Sequence, residues 1–170
     1  AEADVKVLHP SIALTADPAS TTILTGGTVN YTYTLDNTGD VAITHPTVTA
    51  ANCTPVTYSA GDTNNDGLLD ITETWTFTCT TGEIETDQTD QAVTATGKAL
   101  IFATLVEATP KTVAIDVIDP QIAVVKTASA PGVTEGDSIT VGYPNSVTYH
   151  YAVSNPATTN AVPLSPVKGL

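Results

Sequence analysis

The sequence predicts an all-β protein built as an antiparallel β-sandwich, and three observations predict it. Apolar residues recur at every second position in several runs, the period of a strand with one buried face. Thr, Val and Ala dominate a chain of 170 residues in which charged residues make up only 14%, a composition suited to strands. Gly, Pro, Asn and Asp punctuate the runs at short intervals, as in sandwiches.

In chain order, Val5–Leu8 and Ser11–Thr15 are strand candidates separated by Pro10. Thr28–Leu35 alternates cleanly, with Val29, Tyr31, Tyr33 and Leu35 expected inward, and Asp36-Asn37-Thr38-Gly39-Asp40 reads as a tight turn. Val41–Ile43, Thr47–Ala50 and Val56–Tyr58 are short candidates. Glu73–Thr80 places Trp75, Phe77 and Cys79 on one face and threonines on the other. Gln88–Thr96, Ala99–Glu107 and Lys111–Val117 follow, with a turn expected at Gly97-Lys98. The longest apolar stretch, Ala99–Val106, is far shorter than a membrane span of about 18 residues.

Between these strands lies Asp62-Thr63-Asn64-Asn65-Asp66-Gly67-Leu68-Leu69-Asp70-Ile71-Thr72-Glu73, which matches a calcium loop position for position. Asp62, Asn64 and Asp66 offer side-chain oxygens and Leu68 its carbonyl. Asp70 acts directly or through water, and Glu73 closes the sphere with two oxygens. Gly67 permits the positive φ of the sharp turn. The flanks read as strands, so the loop is not a helix-opening sensor, and calcium is expected to be structural. The alternative is a polar surface turn.

The formal net charge is −13, with five lysines and no arginine. Such a chain is a poor partner for nucleic acid, and an anionic membrane surface repels it. Divalent cations are its natural counter-charge. The start, Ala1-Glu2-Ala3, is compatible with a mature end after signal cleavage. Cys53 and Cys79, the only cysteines, bracket the acidic loop. A disulfide between them implies an oxidising, extracytoplasmic setting; the alternative is two buried thiols.

The chain repeats itself. Asp4-Val5-Lys6-Val7-Leu8-His9-Pro10-Ser11-Ile12-Ala13 aligns with Ala114-Ile115-Asp116-Val117-Ile118-Asp119-Pro120-Gln121-Ile122-Ala123, 110 residues on. Val29, Tyr31, Tyr33, Leu35 and Asn37 match Val147, Tyr149, Tyr151, Val153 and Asn155 at an offset of 118, which implies a small insertion around Gly136–Pro144. The expected organisation is therefore residues 1–9 as a strand preceding or donated from the first module, 10–119 as a complete sandwich with the calcium loop, and 120–170 as a partial second one.

Pro120-Gln121-Ile122-Ala123-Val124-Val125-Lys126-Thr127-Ala128-Ser129 resembles the opening of the Ig-like repeat found in many copies in large bacterial and archaeal surface proteins. Val29–Asp40 resembles that family's central strand and Asn-Thr-Gly turn, and Gly61–Phe77 its acidic loop followed by Glu-Thr-Trp. The first copy departs from the pattern at Ala16, where lysine is usual, and the second stops before the acidic loop. The resemblance implies tandem Ig-like β-sandwiches, export to the cell surface, a place in stalks, adhesins or surface layers, and no catalytic activity. The incomplete second module leaves two expectations: a segment of a longer array, or completion by strands from another molecule. Head-to-tail donation of that kind builds an open filament.

Other features are weaker. Asn30-Tyr31-Thr32 and Asn52-Cys53-Thr54 are candidate N-glycosylation acceptors, with Asn30 expected to face outward. Lys126 and Asn155 are of the types that form isopeptide bonds, but with no acid partner in view Lys126 reads as a surface lysine. His9, His45 and His150 are scattered singly, and no nucleophile or phosphate-binding motif is present. The expected function is a non-catalytic extracellular filament subunit or stalk module that associates head to tail with its own kind or with neighbouring modules of an array. The alternative is an adhesin for a glycan or host receptor, for which Tyr58 and Tyr143 are outward aromatic candidates.

Overall fold

A computed structural model describes residues 3–156. It is all-β, with thirteen strands and no helix among the described residues. The chain divides into two compact units between Val117 and Ile118.

In the first unit the strands are β1 (Ile12–Asp17), β2 (Ser20–Leu24), β3 (Asn30–Asn37), β4 (Ile43–Ala50), β5 (Thr57–Ala60), β6 (Leu68–Leu69), β7 (Thr74–Thr80), β8 (Gln88–Ala99), β9 (Leu105–Glu107) and β10 (Lys111–Ile118). One sheet has the order β1-β3-β7-β5; the other runs β2-β10-β8-β4-β6, with β9 also on β8. Setting aside the short additions β2, β6 and β9, this is the A-B-E-D and C-F-G arrangement of the immunoglobulin fold.

Alternation puts one face of the longer strands into a common core. Tyr31, Tyr33 and Leu35 of β3 and Trp75 and Phe77 of β7 meet Ile43 and Val48 of β4, Val93 and Ala95 of β8, and Val113 and Ile115 of β10. The outer faces carry threonines in cross-strand pairs, such as Thr49 with Thr94 (2.7 Å) and Thr47 with Thr96 (3.1 Å). Cys53 and Cys79 are disulfide-bonded with Cα atoms 6.0 Å apart. Cys53 follows β4 and Cys79 lies on β7, so the bond ties one sheet to the other. Antibody domains use strands B and F for this purpose.

Three expectations need correction. Val5–Leu8 is not a strand; residues 3–11 lie outside the ladders. Val41–Ile43 and Thr47–Ala50 are not separate pieces, because β4 runs through a bulge between Thr44 and Thr47. His45 takes φ 50° there and Pro46 is accommodated, since a bulge removes the need for a ladder N–H. Gly97-Lys98 is not a turn: β8 continues to Ala99, and the reversal comes at Leu100–Thr104. Gly97 is a packing residue, since a Cβ there would come within 2.3 Å of Ile43 Cγ2.

The second unit contains β11 (Ala123–Ala130), β12 (Val133–Gly136) and β13 (Thr148–Ser154) in one sheet of order β12-β11-β13. Val124 pairs with Val153, Lys126 with Tyr151 and Ala128 with Tyr149.

Candidate metal loop and exposed apolar surfaces

The acidic loop connects β5 to β7, between strands and not helices, with β6 in its middle. Leu69 pairs with Ile43 and is fully buried, which pins the second half of the loop to the opposite sheet. Buried Asn37 locks that attachment by donating to the carbonyls of Val41 (2.8 Å) and Leu69 (2.9 Å). Asn65 and Gly67 take positive φ, 60° and 77°, and produce the sharp turn.

The side chains then fold inward on the loop's own amides. Asp62 accepts from the N–H groups of Asp66 (3.2 Å) and Gly67 (2.9 Å), and Asp66 accepts from that of Leu68 (2.9 Å). The Asn64 amide nitrogen donates to both Asp66 and Asp70, each at 3.1 Å, and its oxygen accepts from the Asp66 N–H. Asp66, Asp70 and Asn64 therefore converge at one point. Among the described residues no cluster of three or more His, Cys, Asp or Glu side chains has metal-holding geometry.

Glu73 has a role that its position in the loop pattern did not disclose. It is buried, and its carboxylate accepts from the Thr63 hydroxyl (2.7 Å), the Thr63 N–H (2.8 Å), the Trp75 indole (3.2 Å) and the Asp70 N–H (3.3 Å). It joins the first and second halves of the loop and seats both on the core tryptophan. The Thr63 side-chain and backbone bonds, aided by those from Trp75 and Asp70 and against a smaller opposing effect of burial, hold its pKa down at about 2, from an ordinary 4.5.

Of the other candidates, Asn30 is exposed, with its oxygen accepting from Thr80 (2.7 Å). Asn52 is half-buried and its amide nitrogen is engaged by Gln88 (3.1 Å) and Tyr31 (3.4 Å), so it presents less of itself to a modifying enzyme. Lys126 lies 4.3 Å above the Tyr149 ring. It pairs with Tyr151 on β13, and Asn155 follows the end of that strand, four positions on. His9 faces Asp40 (3.8 Å), and His150 contacts Ser129 (2.9 Å). Tyr58 is less free than an outward aromatic: it packs on Trp75 (4.8 Å between centroids), and its hydroxyl accepts from the Asp62 N–H (2.9 Å). Tyr143 is fully exposed.

The sequence reading missed Phe102. It is 88% exposed at the β8–β9 reversal, beside exposed Leu100, Ile101 and Leu105. Phe102 and Ala103 both take positive φ, 69° and 50°, in a tight turn that normally favours Asn and Gly. The available signal was the broken alternation of Leu100-Ile101-Phe102-Ala103 inside an apparent strand. The tip borders a groove of about 280 Å³ lined by Lys6, Leu8, Pro10, Val41 and Ala99.

No family model and no curated protein matches the chain. Among solved structures, it is similar to the BIgI domain of beta protein from S. agalactiae, determined bound to CEACAM1, with 19% identity and a TM-score of 0.40 over 65% of this chain and all of that one.

Proposed function

We propose that this chain is a non-catalytic, extracellular structural module, a piece of a surface filament or stalk, whose acidic loop binds calcium. The observation that carries the reading is the staple between the sheets. The Cys53–Cys79 disulfide encloses the whole Asp62–Glu73 loop, so a single covalent bond restrains the part of the sandwich most prone to self-repulsion. Such a bond persists in oxidising compartments outside the cytoplasm.

The donor chemistry fits a hard divalent cation in part. Asp62, Asn64, Asp66 and Asp70 and the Leu68 carbonyl supply oxygen ligands of the type calcium takes. The meeting of Asp66 and Asp70 on one amide supports the fit, because these two carboxylates are drawn together with only a neutral donor between them. Glu73 reaches an ion only by releasing its own donors, so it acts chiefly as the fastener of the loop. Bound calcium supplies positive charge that lets the carboxylates stay close. Calcium should raise the melting temperature, chelator should reverse the rise, and Asp62→Asn with Asp66→Asn should abolish it. An unchanged melting curve would make the loop an ordinary turn. Immuno-electron microscopy of producing cells tests the surface assignment; label confined to the cytoplasm overturns it.

One observation favours a second reading, an adhesin. The exposed Phe102 tip is an apolar projection on strained backbone, of the kind that inserts into a protein partner. Loss of cell or receptor binding in Phe102→Ser, with melting unchanged, would establish it. Glycan recognition is the form of this reading that a glycan array addresses.

A further inference from the structure

We propose that residues Asp4–Leu8 of a second copy of this chain add as a strand over the open face of the second unit's sheet, in the place that β10 occupies in the first. The inference rests on the structural-module reading and names the partner of that module.

The two units share one piece of construction. In the first, Leu14 pairs with Leu35 and Ala16 with Tyr33. In the second, Val124 pairs with Val153 and Lys126 with Tyr151. These are the same pairs displaced by the 110- and 118-residue offsets of the repeat. In the first unit the face carrying Leu14, Tyr31, Tyr33 and Leu35 is buried beneath β8 and β10. In the second, Val124, Tyr149, Tyr151 and Val153 are each more than half exposed. An exposed apolar face of this kind, here with Lys126 lying over the Tyr149 and Tyr151 rings, marks an interaction site.

The first unit also says what shape of cover fits. β10 presents Val113, Ile115 and Val117 inward at alternate positions. The repeat aligns Ile115 with Val5 and Val117 with Val7. Val5 and Val7 are 81% and 65% exposed, and their segment belongs to no sheet. The described residues thus include both an uncovered face and a segment that pairs with no strand, its Leu8 resting on the first unit's core, whose sequence copy covers the matching face elsewhere.

A ladder partner is also at hand. In the first unit β2 lies beside β10 in the covering sheet. In the second, β12 folds back on β11 instead, through Ala128 with Gly136 and Ala130 with Val133. β12 thus belongs to the sheet to be covered, and its outer edge, which pairs with no other described strand, is where a donated strand can hydrogen-bond through its main chain.

The polarity of the first unit makes the assembly head to tail. Ile12 pairs with Asn37, Asn37 bonds Val41, and Ile43 pairs with Ala99, so the N-terminal segment enters at the end these residues share. Ile115 pairs with Gln88 at the opposite end, where the chain leaves. Donor and exit at opposite poles give a heterologous contact, which propagates as a fibre or closes as a ring.

The test is sedimentation of the full chain over a wide concentration range, with and without a labelled peptide of residues 1–9. Species larger than monomer should grow with concentration, and excess peptide should bind and shorten them. Val5→Lys with Val7→Lys should remove self-assembly while leaving the melting of the first unit unchanged and leaving the variant able to bind wild-type peptide. Tyr151→Lys should lose peptide binding. A chain that stays monomeric and ignores the peptide overturns the proposal. So does hydrogen-exchange protection of β12 and β13 in the dilute monomer at the level of the first unit's core, which would mean that the same polypeptide covers the face. Either failure, with calcium-dependent melting and surface labelling intact, would leave the structural-module reading standing and remove only the donated strand.

Discussion

Replacing both cysteines, Cys53→Ala with Cys79→Ala, should cost the first unit about 3.5 kcal/mol. The figure follows from the ring that the bond closes. The cysteines are 26 residues apart, and the chain-entropy relation assigns a ring of that length about 12 cal/mol/K, or about 3.5 kcal/mol at room temperature. Both sulfurs lie in the core, so the lost packing adds to the loss and does not offset it. The unit extends to Val117, and an unfolding entropy of about 2.1 cal/mol/K per residue converts the loss into a fall in melting temperature of about 14 °C. Scanning calorimetry of the variant beside the oxidised wild type reads this directly, and wild type melted with reductant should follow the variant. A fall below about 4 °C, close to 1 kcal/mol, would refute the reasoning. It would mean that the unfolded chain, with its clustered acidic loop, gains little freedom when the ring is opened.

Gly97→Ala should destabilise by about 1–3 kcal/mol in urea melts, because its Cβ meets Ile43 Cγ2 at 2.3 Å; the cost should shrink in an Ile43→Leu background, which removes that branch, and additive losses would rule out the clash. Tyr33→Phe should raise stability by about 1 kcal/mol, since the buried Tyr33 hydroxyl has no hydrogen-bond partner among the described residues; unchanged or reduced stability would show that the hydroxyl is satisfied in solution. The same burial, with a smaller contribution from Tyr31, pushes the Tyr33 pKa up to about 12, so a spectroscopic titration should find a tyrosine ionising near pH 12 that Tyr33→Phe removes. Glu73→Gln should lower the melting temperature most above pH 4.5. A carboxylate whose pKa is depressed on folding contributes stability above its unfolded pKa and loses it as pH falls through the folded value, so the gap between wild type and variant should narrow from pH 4.5 towards about 2. A gap independent of pH would dismiss the four-donor arrangement.

What the sequence determined by itself was the set of half-buried strands. Tyr31, Tyr33 and Leu35 and then Trp75, Phe77 and Cys79 alternate with threonines, and a pleated strand has no other way to divide such residues between core and water. It also determined the acidic turn and the pairing of two cysteines that have no competitors. Tertiary structure decided everything that depends on which strands become neighbours. Leu100–Thr104 became an exposed tip because Gly97, read locally as a turn, was needed flat against Ile43. Glu73 became the fastener of the loop because folding brings Thr63 and Trp75 to it, and a loop pattern does not encode those partners. Val5–Leu8 has the alternation of a strand yet joins no sheet, since a strand exists only where another backbone offers its N–H and C=O groups. Side-chain period is written residue by residue, whereas hydrogen-bond partnership across a sandwich is a property of the whole fold.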